Sequence, residues 1–135
     1  MLDTSTLVLI DRLDPDALPA EPLITTVTLA ELSVGALVAA SDRERAARQA
    51  RLQQTEAAFD PLPFDAQAAR AFGAVAASLR ASGRKSAARA FDAMIAATAL
   101  AKGLPVYTCD PRDFEGIDGI LVRAIPHPDT GRAGS

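Results

Sequence analysis

Three short apolar segments with β-branched side chains most constrain what this chain can fold into. They are residues 23–27, 104–108 and 121–125. Such segments predict buried β-strands, whereas the alanine-rich stretches between them predict helices. Because the two kinds of segment alternate, the sequence predicts an α/β domain with a mainly parallel sheet.

The composition supports one domain built on close-packed helices. Of the 135 residues, 49% are hydrophobic but only 4% are aromatic. This supply of apolar side chains is sufficient for one core, and its richness in alanine favours helices over a β-sandwich. We therefore predict a single domain over residues 1–125 and a flexible polar tail over residues 126–135.

Several classes of protein are disfavoured by the residues that the chain lacks. No apolar run has the length of a membrane span, and the first residues do not resemble a signal peptide. One cysteine, Cys109, and one histidine, His127, leave no disulfide framework, no cysteine-based zinc site and little basis for a Ser-His-Asp mechanism. We therefore expect a cytoplasmic protein with no membrane partner.

Helical periodicity, capping residues and breakers divide the rest of the chain. Residues 1–3 can form the end of a first strand, and residues 60–64 can hold an edge strand. Helices are predicted over residues 4–13, 28–40, 42–58, 65–82 and 86–102, with a helical turn over residues 110–114.

Five acids occupy positions that suggest chemistry. Asp3 follows the first predicted strand and Asp110 follows a later one, and parallel sheets bind ligands outside the carboxyl ends of their strands. Glu31 and Asp92 have apolar or small helical neighbours, among which a carboxylate is either exposed or held by a cation. Asp113 lies three residues beyond Asp110 and could equally be a solvated turn residue.

The other four acids also have structural explanations. Asp3 could cap the first helix, and Asp110, followed by a proline, could be an N-cap. Thr28 and Glu31 match a capping box. Asp92 could be an exposed acid on an alanine-rich helix. In combination, however, carboxylates without histidine or cysteine form a hard oxygen site suited to Mg²⁺ or Mn²⁺, and such sites usually act on phosphates.

Four segments carry a more specific signal when they are taken in order. They are Leu-Asp-Thr-Ser at residues 2–5, Thr-Leu-Ala-Glu-Leu at 28–32, Asp-Ala-Met-Ile-Ala-Ala-Thr-Ala at 92–99 and Thr-Cys-Asp-Pro-Arg-Asp-Phe at 108–114. Together they resemble the PIN-domain ribonucleases, and more narrowly the VapC toxins of bacterial toxin–antitoxin pairs. The resemblance extends to about residue 125.

This resemblance implies a PIN-like three-layer α/β/α sandwich with a mainly parallel central sheet. It implies a Mg²⁺- or Mn²⁺-dependent endoribonuclease toxin that hydrolyses transfer or ribosomal RNA. It also implies a homodimer and neutralisation by a cognate VapB-like antitoxin. The catalytic residues that it assigns around the metal are Asp3, Glu31, Asp92 and Asp110, with Asp113 in or beside the same shell. The hydroxyl of Ser5 matches a position that supports the site.

The basic residues offer candidate contacts to RNA phosphates. Without the five site acids, the 17 acids fall to 12 against 14 bases, so the rest of the chain carries a net charge of +2. Two basic groups are Arg43, Arg45, Arg48 and Arg51, and Arg80, Arg84, Lys85 and Arg89. Each could bind phosphate or form a solvated face with local ion pairs. Arg112, between two of the acids, is the best candidate.

Three alternatives stay open at this point. A haloacid-dehalogenase-like phosphatase would need an aspartate at position 5, which is Ser5. A receiver domain would need a lysine at the end of a late strand, but Lys85 and Lys102 fall in a predicted turn and helix. A catalytically silent PIN-like module that binds RNA or protein is the third, and metal titration would separate it from a nuclease.

Overall fold

The computed structural model describes residues 1–84 and 89–129. The α-helices of these ranges are α1 (Thr4–Leu7), α2 (Thr26–Leu37), α3 (Asp42–Ala58), α4 (Ala66–Ala81) and α5 (Ala90–Lys102). The strands are β1 (Val106–Thr108) and β2 (Val122–Ala124). Short 3₁₀ helices span Ile10–Arg12, Pro15–Ala17 and Pro111–Phe114.

A parallel sheet forms the centre of the molecule. β1 pairs with β2 in parallel, and on its other side Leu2 forms a parallel bridge to Tyr107. The amide of Leu2 donates to the carbonyl of Leu23, and Thr25 forms a parallel bridge to Leu62. The order across the sheet is therefore residue 62, residues 23–25, residues 1–2, β1 and β2. After residues 1–2, the chain adds residues 23–25 and then residue 62 on one side, and it later adds β1 and β2 on the other side. The topological switch point therefore lies between residues 1–2 and β1.

Two hydrophobic cores lie on opposite faces of this sheet, because successive residues of a strand point to opposite sides. Met1 and Val106 belong to one core, which α4 and α5 cover. Leu2 belongs to the other, together with Leu7 of α1 and Ile24. The predicted three-layer α/β/α sandwich with a mainly parallel sheet is confirmed.

Alanine allows α5 to pack closely against its neighbours. Its fully buried alanines are Ala93, Ala96, Ala97 and Ala99. The helix ends at Gly103, whose φ of 67° is a left-handed conformation that glycine adopts without steric cost. At the start of α4, the predicted cap Asp65 accepts a 2.9 Å hydrogen bond from the amide of Ala68.

Two predicted boundaries on the N-terminal side are wrong. The helix expected over residues 4–13 ends as an α-helix at Leu7, and a 3₁₀ turn follows. The strand expected over residues 23–27 ends at Thr25, since the hydroxyl of Thr25 accepts the amide of Val27 at 3.1 Å and caps α2. The side chain of Thr25 thus ends the strand, although the β-branched residues up to position 27 favour a longer strand.

Towards the C-terminus, the two strands are shorter than the predicted ranges of residues 104–108 and 121–125. The helix predicted over residues 86–102 begins at Ala90 within the described residues, and residues 85–88 lie outside them. Buried Ile125 still pairs with the sheet, as its amide donates to the carbonyl of Thr108.

The domain boundary at residue 125 stays a prediction, and residues 130–135 of the predicted tail lie outside the described residues. None of the described helices combines the length and apolarity needed to cross a membrane.

Candidate active site

Three aspartates from separate parts of the sequence meet at the carboxyl end of the sheet. Asp3 follows the first sheet segment, Asp92 lies in the first turn of α5, and Asp113 lies in the 3₁₀ helix beyond β1. Each offers one carboxylate oxygen, and these oxygens all lie within 4.8 Å of one another. The site lies at the topological switch point, which is where open α/β sheets bind ligands.

Asp3 is the buried centre of this group, with only 1% of its surface exposed. Its Oδ2 accepts hydrogen bonds from the hydroxyls of Thr108 at 2.8 Å and Ser5 at 3.3 Å. Its Oδ1 is buried and has no hydrogen-bond partner among the described residues. A buried carboxylate oxygen without a partner is costly. Beside two further carboxylates, it fits a divalent cation that prefers oxygen ligands.

Threonines fix the backbone around Asp3. Besides its bond to Asp3, Thr108 Oγ1 accepts the amide of Asp110 at 2.9 Å. Thr6 Oγ1 accepts the amide of Cys109, also at 2.9 Å. The bond from Cys109 to Thr6 joins the end of β1 to α1, 103 positions away in sequence, whereas the bond from Asp110 to Thr108 fixes the turn directly after β1. Neither threonine stands out in the sequence, although Thr108 begins one of the segments that carry the resemblance and Thr6 directly follows another.

Glu31 lies beside the three aspartates without joining their group. Its Oε1 accepts a 2.6 Å hydrogen bond from Thr4 Oγ1, which also lies 3.0 Å from Thr28 Oγ1. The capping-box explanation of Glu31 is wrong because Thr28 lies inside α2, and Thr25 is the cap. Glu31 is instead oriented by α1, on the side that carries Asp3.

Asp110 is held at the edge of the site. Its Oδ2 accepts the hydroxyl of Ser5 at 3.1 Å, so Ser5 bridges Asp110 and Asp3. Asp110 stands at the N-cap position of the 3₁₀ helix, but its side chain makes no capping hydrogen bond. Asp113, rather than Asp110, shares the close group of three with Asp3.

Among the described residues, Arg89 is the basic residue whose side chain reaches the group of three aspartates. Its Nη1 lies 3.5 Å from Asp113 Oδ1. Arg112 is exposed and meets this region through its carbonyl oxygen, which accepts hydrogen bonds from Arg84 and Arg89. The proposed phosphate contact of the Arg112 side chain stays a prediction. From the sequence alone, Arg89 is one of four basic residues in its region, and no local feature distinguishes it from the other three.

Crowding of carboxylates changes their proton affinity. Burial, and after it the negative charges of Asp113, Asp3 and Glu31, together raise the pKa of Asp92 to about 7 against the opposing effect of Arg89. Burial also raises the pKa of Asp3 and of Glu31. In the same region, burial raises the pKa of the Cys109 thiol, which disfavours a reactive thiolate. Without a cation, Asp92, Asp3 and Glu31 therefore hold their protons more strongly than ordinary carboxyl groups do.

The family profile of the PIN domain matches residues 1–120. The chain belongs to the PIN domain family. This match covers every acid of the site and excludes the phosphatase and receiver-domain alternatives.

Within the family, this PIN domain is similar to two curated proteins of Mycobacterium tuberculosis (strain ATCC 25618 / H37Rv). It is 41% identical to Ribonuclease VapC5 over 122 residues, which cover 88% of this chain and 87% of the relative. It is 37% identical to Ribonuclease VapC4 over 128 residues, which cover 93% and 95% of the two chains. The PIN domain is therefore of the VapC type.

The fold of this PIN domain is also similar to a solved toxin–antitoxin structure. The crystal structure of VapBC-5 from Mycobacterium tuberculosis, a member of the VapBC family, matches with a TM-score of 0.75 and 43% sequence identity. The match covers 90% of this chain and 92% of that chain.

Proposed function

We propose that this PIN domain is a divalent-metal-dependent endoribonuclease toxin that hydrolyses RNA phosphodiester bonds. The observation that carries the proposal is the convergence of Asp3, Asp92 and Asp113, with a buried oxygen of Asp3 that lacks a partner among the described residues. Three carboxylates without a histidine or cysteine ligand favour Mg²⁺ or Mn²⁺ over softer metals.

In this proposal, the three aspartates hold the cation. When bound, it supplies charge stabilisation for the scissile phosphodiester and lowers the pKa of a water molecule. Thr108 and Ser5 hold Oδ2 of Asp3, so the remaining oxygen is fixed in orientation and free to bind a ligand.

The remaining acids act at the edge of the site. We assign Glu31, which Thr4 orients, to accept a hydrogen bond from the attacking water. Asp110, which Ser5 holds, extends the negative surface beside Asp3 and would add to its attraction for a cation. Arg89 and the exposed side chain of Arg112 supply positive charge for the RNA backbone.

The printed names of the relatives support the biological setting. VapC5 and VapC4 are named ribonucleases, and VapBC-5 is described as a member of a family of toxin–antitoxin systems. For this chain we propose transfer or ribosomal RNA as substrate, a VapB-like antitoxin as inhibitor and a homodimer as the assembly. Such an activity belongs in the cytoplasm, where these RNAs are found.

Mapping of new 5′-phosphate RNA ends in cells tests this function. The wild-type chain is induced without an antitoxin, beside Asp92→Asn and the matched control Asp42→Asn, which removes a fully exposed acid at the start of α3. We expect the same discrete ends with the wild type and Asp42→Asn, and none with Asp92→Asn. Ends that persist with Asp92→Asn would refute the role of the site. Soluble wild-type protein that produces no ends would favour a silent binding module.

A further inference from the structure

An arginine just beyond α4 contacts the turn that carries Asp113. One nitrogen of Arg84, Nη1, donates to the carbonyl oxygen of Arg112 at 3.2 Å. The other, Nη2, forms a 2.7 Å ion pair with Glu115 Oε2. The two acceptors lie on either side of Asp113, so a single guanidinium spans the segment that presents this carboxylate. The Arg84 side chain is 26% exposed, which indicates that it is partly packed.

We infer that Arg84 is a positioning residue for the metal site. It holds the 3₁₀ turn Pro111–Phe114 so that Asp113 stays beside Asp3 and Asp92. This inference rests on the proposed function, because the three aspartates are taken as the ligands of the cation. Arg84 itself binds the backbone and Glu115, and it leaves the carboxylate of Asp113 free.

A second contact anchors the same segment to the end of α4. Gly116 has a φ of 85°, and a Cβ atom at this position would lie 2.5 Å from Ser82 Oγ and 3.4 Å from Arg84 Cδ. Ser82 Oγ donates at 2.8 Å to the carbonyl of Leu79, which is fully buried in the core. The segment that follows Asp113 therefore packs closely against Ser82 and Arg84 at the end of α4.

The contacts of Arg84 oppose a repulsion that would otherwise displace Asp113. Three carboxylates with oxygens within 4.8 Å repel one another when no cation is present, and Asp113 lies on a short turn that could move away. Arg89 opposes this repulsion directly, but its contact with Asp113 is long, at 3.5 Å. Arg84 opposes the movement of the backbone instead, and so preserves the site for the incoming cation.

A positioning role and a purely electrostatic role of Arg84 predict changes of opposite sign in the affinity for the cation. Removal of a positive charge near a cation site should strengthen cation binding if only Coulomb interactions matter. Loss of positioning should weaken it. Glutamine at position 84 therefore gives opposite outcomes under the two explanations.

Calorimetric titration of the full chain with Mn²⁺, without RNA, makes this comparison. We expect Arg84→Gln to weaken Mn²⁺ binding about tenfold, at the lower end of what supporting residues of metal sites contribute. The matched control Arg80→Gln removes an exposed charge from the last turn of α4, four positions before Arg84, and should bind Mn²⁺ as the wild type does. Arg84→Lys keeps the positive charge but lacks the planar fork that spans the Arg112 carbonyl and Glu115, so positioning predicts weaker Mn²⁺ binding and simple electrostatics predicts no change; it provides a second variant if Arg84→Gln does not fold.

Kinetics of RNA cleavage supply a further readout. At saturating Mn²⁺ we expect Arg84→Gln to recover most of its kcat with an unchanged KM for RNA. Unchanged or tighter Mn²⁺ binding by Arg84→Gln, or unchanged binding by Arg84→Lys, would overturn the inference, as would an equal loss in Arg80→Gln. A raised KM with normal Mn²⁺ affinity would instead make Arg84 an RNA contact. Wild-type protein that binds no Mn²⁺ would refute the metal function as well, whereas normal wild-type binding confines a failure to Arg84.

Discussion

The hydroxyl of Thr108 donates a 2.8 Å hydrogen bond to Oδ2 of Asp3, across 105 positions of sequence. The bond joins the end of β1 to the first residue after the neighbouring sheet segment. It leaves the other oxygen of Asp3 buried and without a partner among the described residues. This pairing determines which oxygen of the central acid can receive a ligand.

Thr108→Val should damage both the fold and the site. Valine keeps the shape of threonine but leaves Asp3 Oδ2 with only its longer bond to Ser5 and deprives the amide of Asp110 of its acceptor. We expect a loss of about 1–3 kcal/mol in the free energy of unfolding, measured by urea denaturation. RNA cleavage should fall about tenfold.

Thr98→Val is the matched control for that change. Thr98 is equally buried, but within the described ranges its hydroxyl bonds only the carbonyl of Met94 in α5. It should therefore lose stability without a specific loss of cleavage. Equal cleavage rates in Thr108→Val and Thr98→Val, at matched fractions of folded protein, would contradict the role of the Asp3–Thr108 bond.

Asp113→Asn should weaken Mn²⁺ binding more than Asp110→Asn. Asp113 shares the group of oxygens within 4.8 Å, whereas the carboxylate of Asp110 is held by Ser5 at the edge. We expect a difference of about tenfold or more in the dissociation constant, measured by calorimetry on the two variants. The reverse order would show that Asp110 is the direct ligand.

The stability of the metal-free protein should fall as the pH rises. Burial and the neighbouring acids raise the pKa of Asp92 from 3.8 to about 7 in the folded state, so between these values the native protein holds a proton that the unfolded chain has lost. The stabilisation from this proton is complete below pH 3.8 and is lost as the pH passes through 7. Thermal unfolding in EDTA should therefore show a lower Tm at pH 8 than at pH 6.

Metal binding should show the opposite dependence on pH. Cation ligands must be deprotonated, so Mn²⁺ should raise the Tm more at pH 8 than at pH 6. Asp92→Asn removes the titrating group and should flatten both dependences. A steep fall in Tm between pH 6 and 8 that survives in Asp92→Asn would assign the effect to another group.

Gly116→Ala should destabilise the turn that follows Asp113. The backbone at Gly116 has a φ of 85°, and the added Cβ would lie 2.5 Å from Ser82 Oγ. Strain of this kind costs about 1–3 kcal/mol. Gly73→Ala, in α4, is the control because nothing lies within 4 Å of its added Cβ, and it should stabilise the helix by about 0.5–1 kcal/mol. Similar Tm values for the two variants would contradict the tight packing at Gly116.

Much of the site could be predicted from local sequence, because it depends on where strands end. Asp3 and Asp110 follow sheet segments whose apolar, β-branched residues make them recognisable. Asp92 was conspicuous because its helical neighbours are alanines. The α/β/α layers followed from the alternation of short strands and helices.

The remaining features depend on contacts between distant residues. Whether Asp110 or Asp113 joins the close group depends on the course of the 3₁₀ turn, which Arg84 and Gly116 help to set. Thr25 and Thr28 are both plausible caps by residue type, and only the fold shows that Thr25 begins α2. The bond from Thr108 to Asp3 has no local signature at all.

An anomalous diffraction experiment on crystals soaked with Mn²⁺ tests the central assignment most directly. We expect a peak in the anomalous difference map within coordination distance of the carboxylates of Asp3, Asp92 and Asp113, and its loss in crystals of Asp3→Asn. A well-diffracting wild-type crystal with no peak at these three aspartates, or with its strongest peak elsewhere, would contradict the assignment of this site as the metal centre.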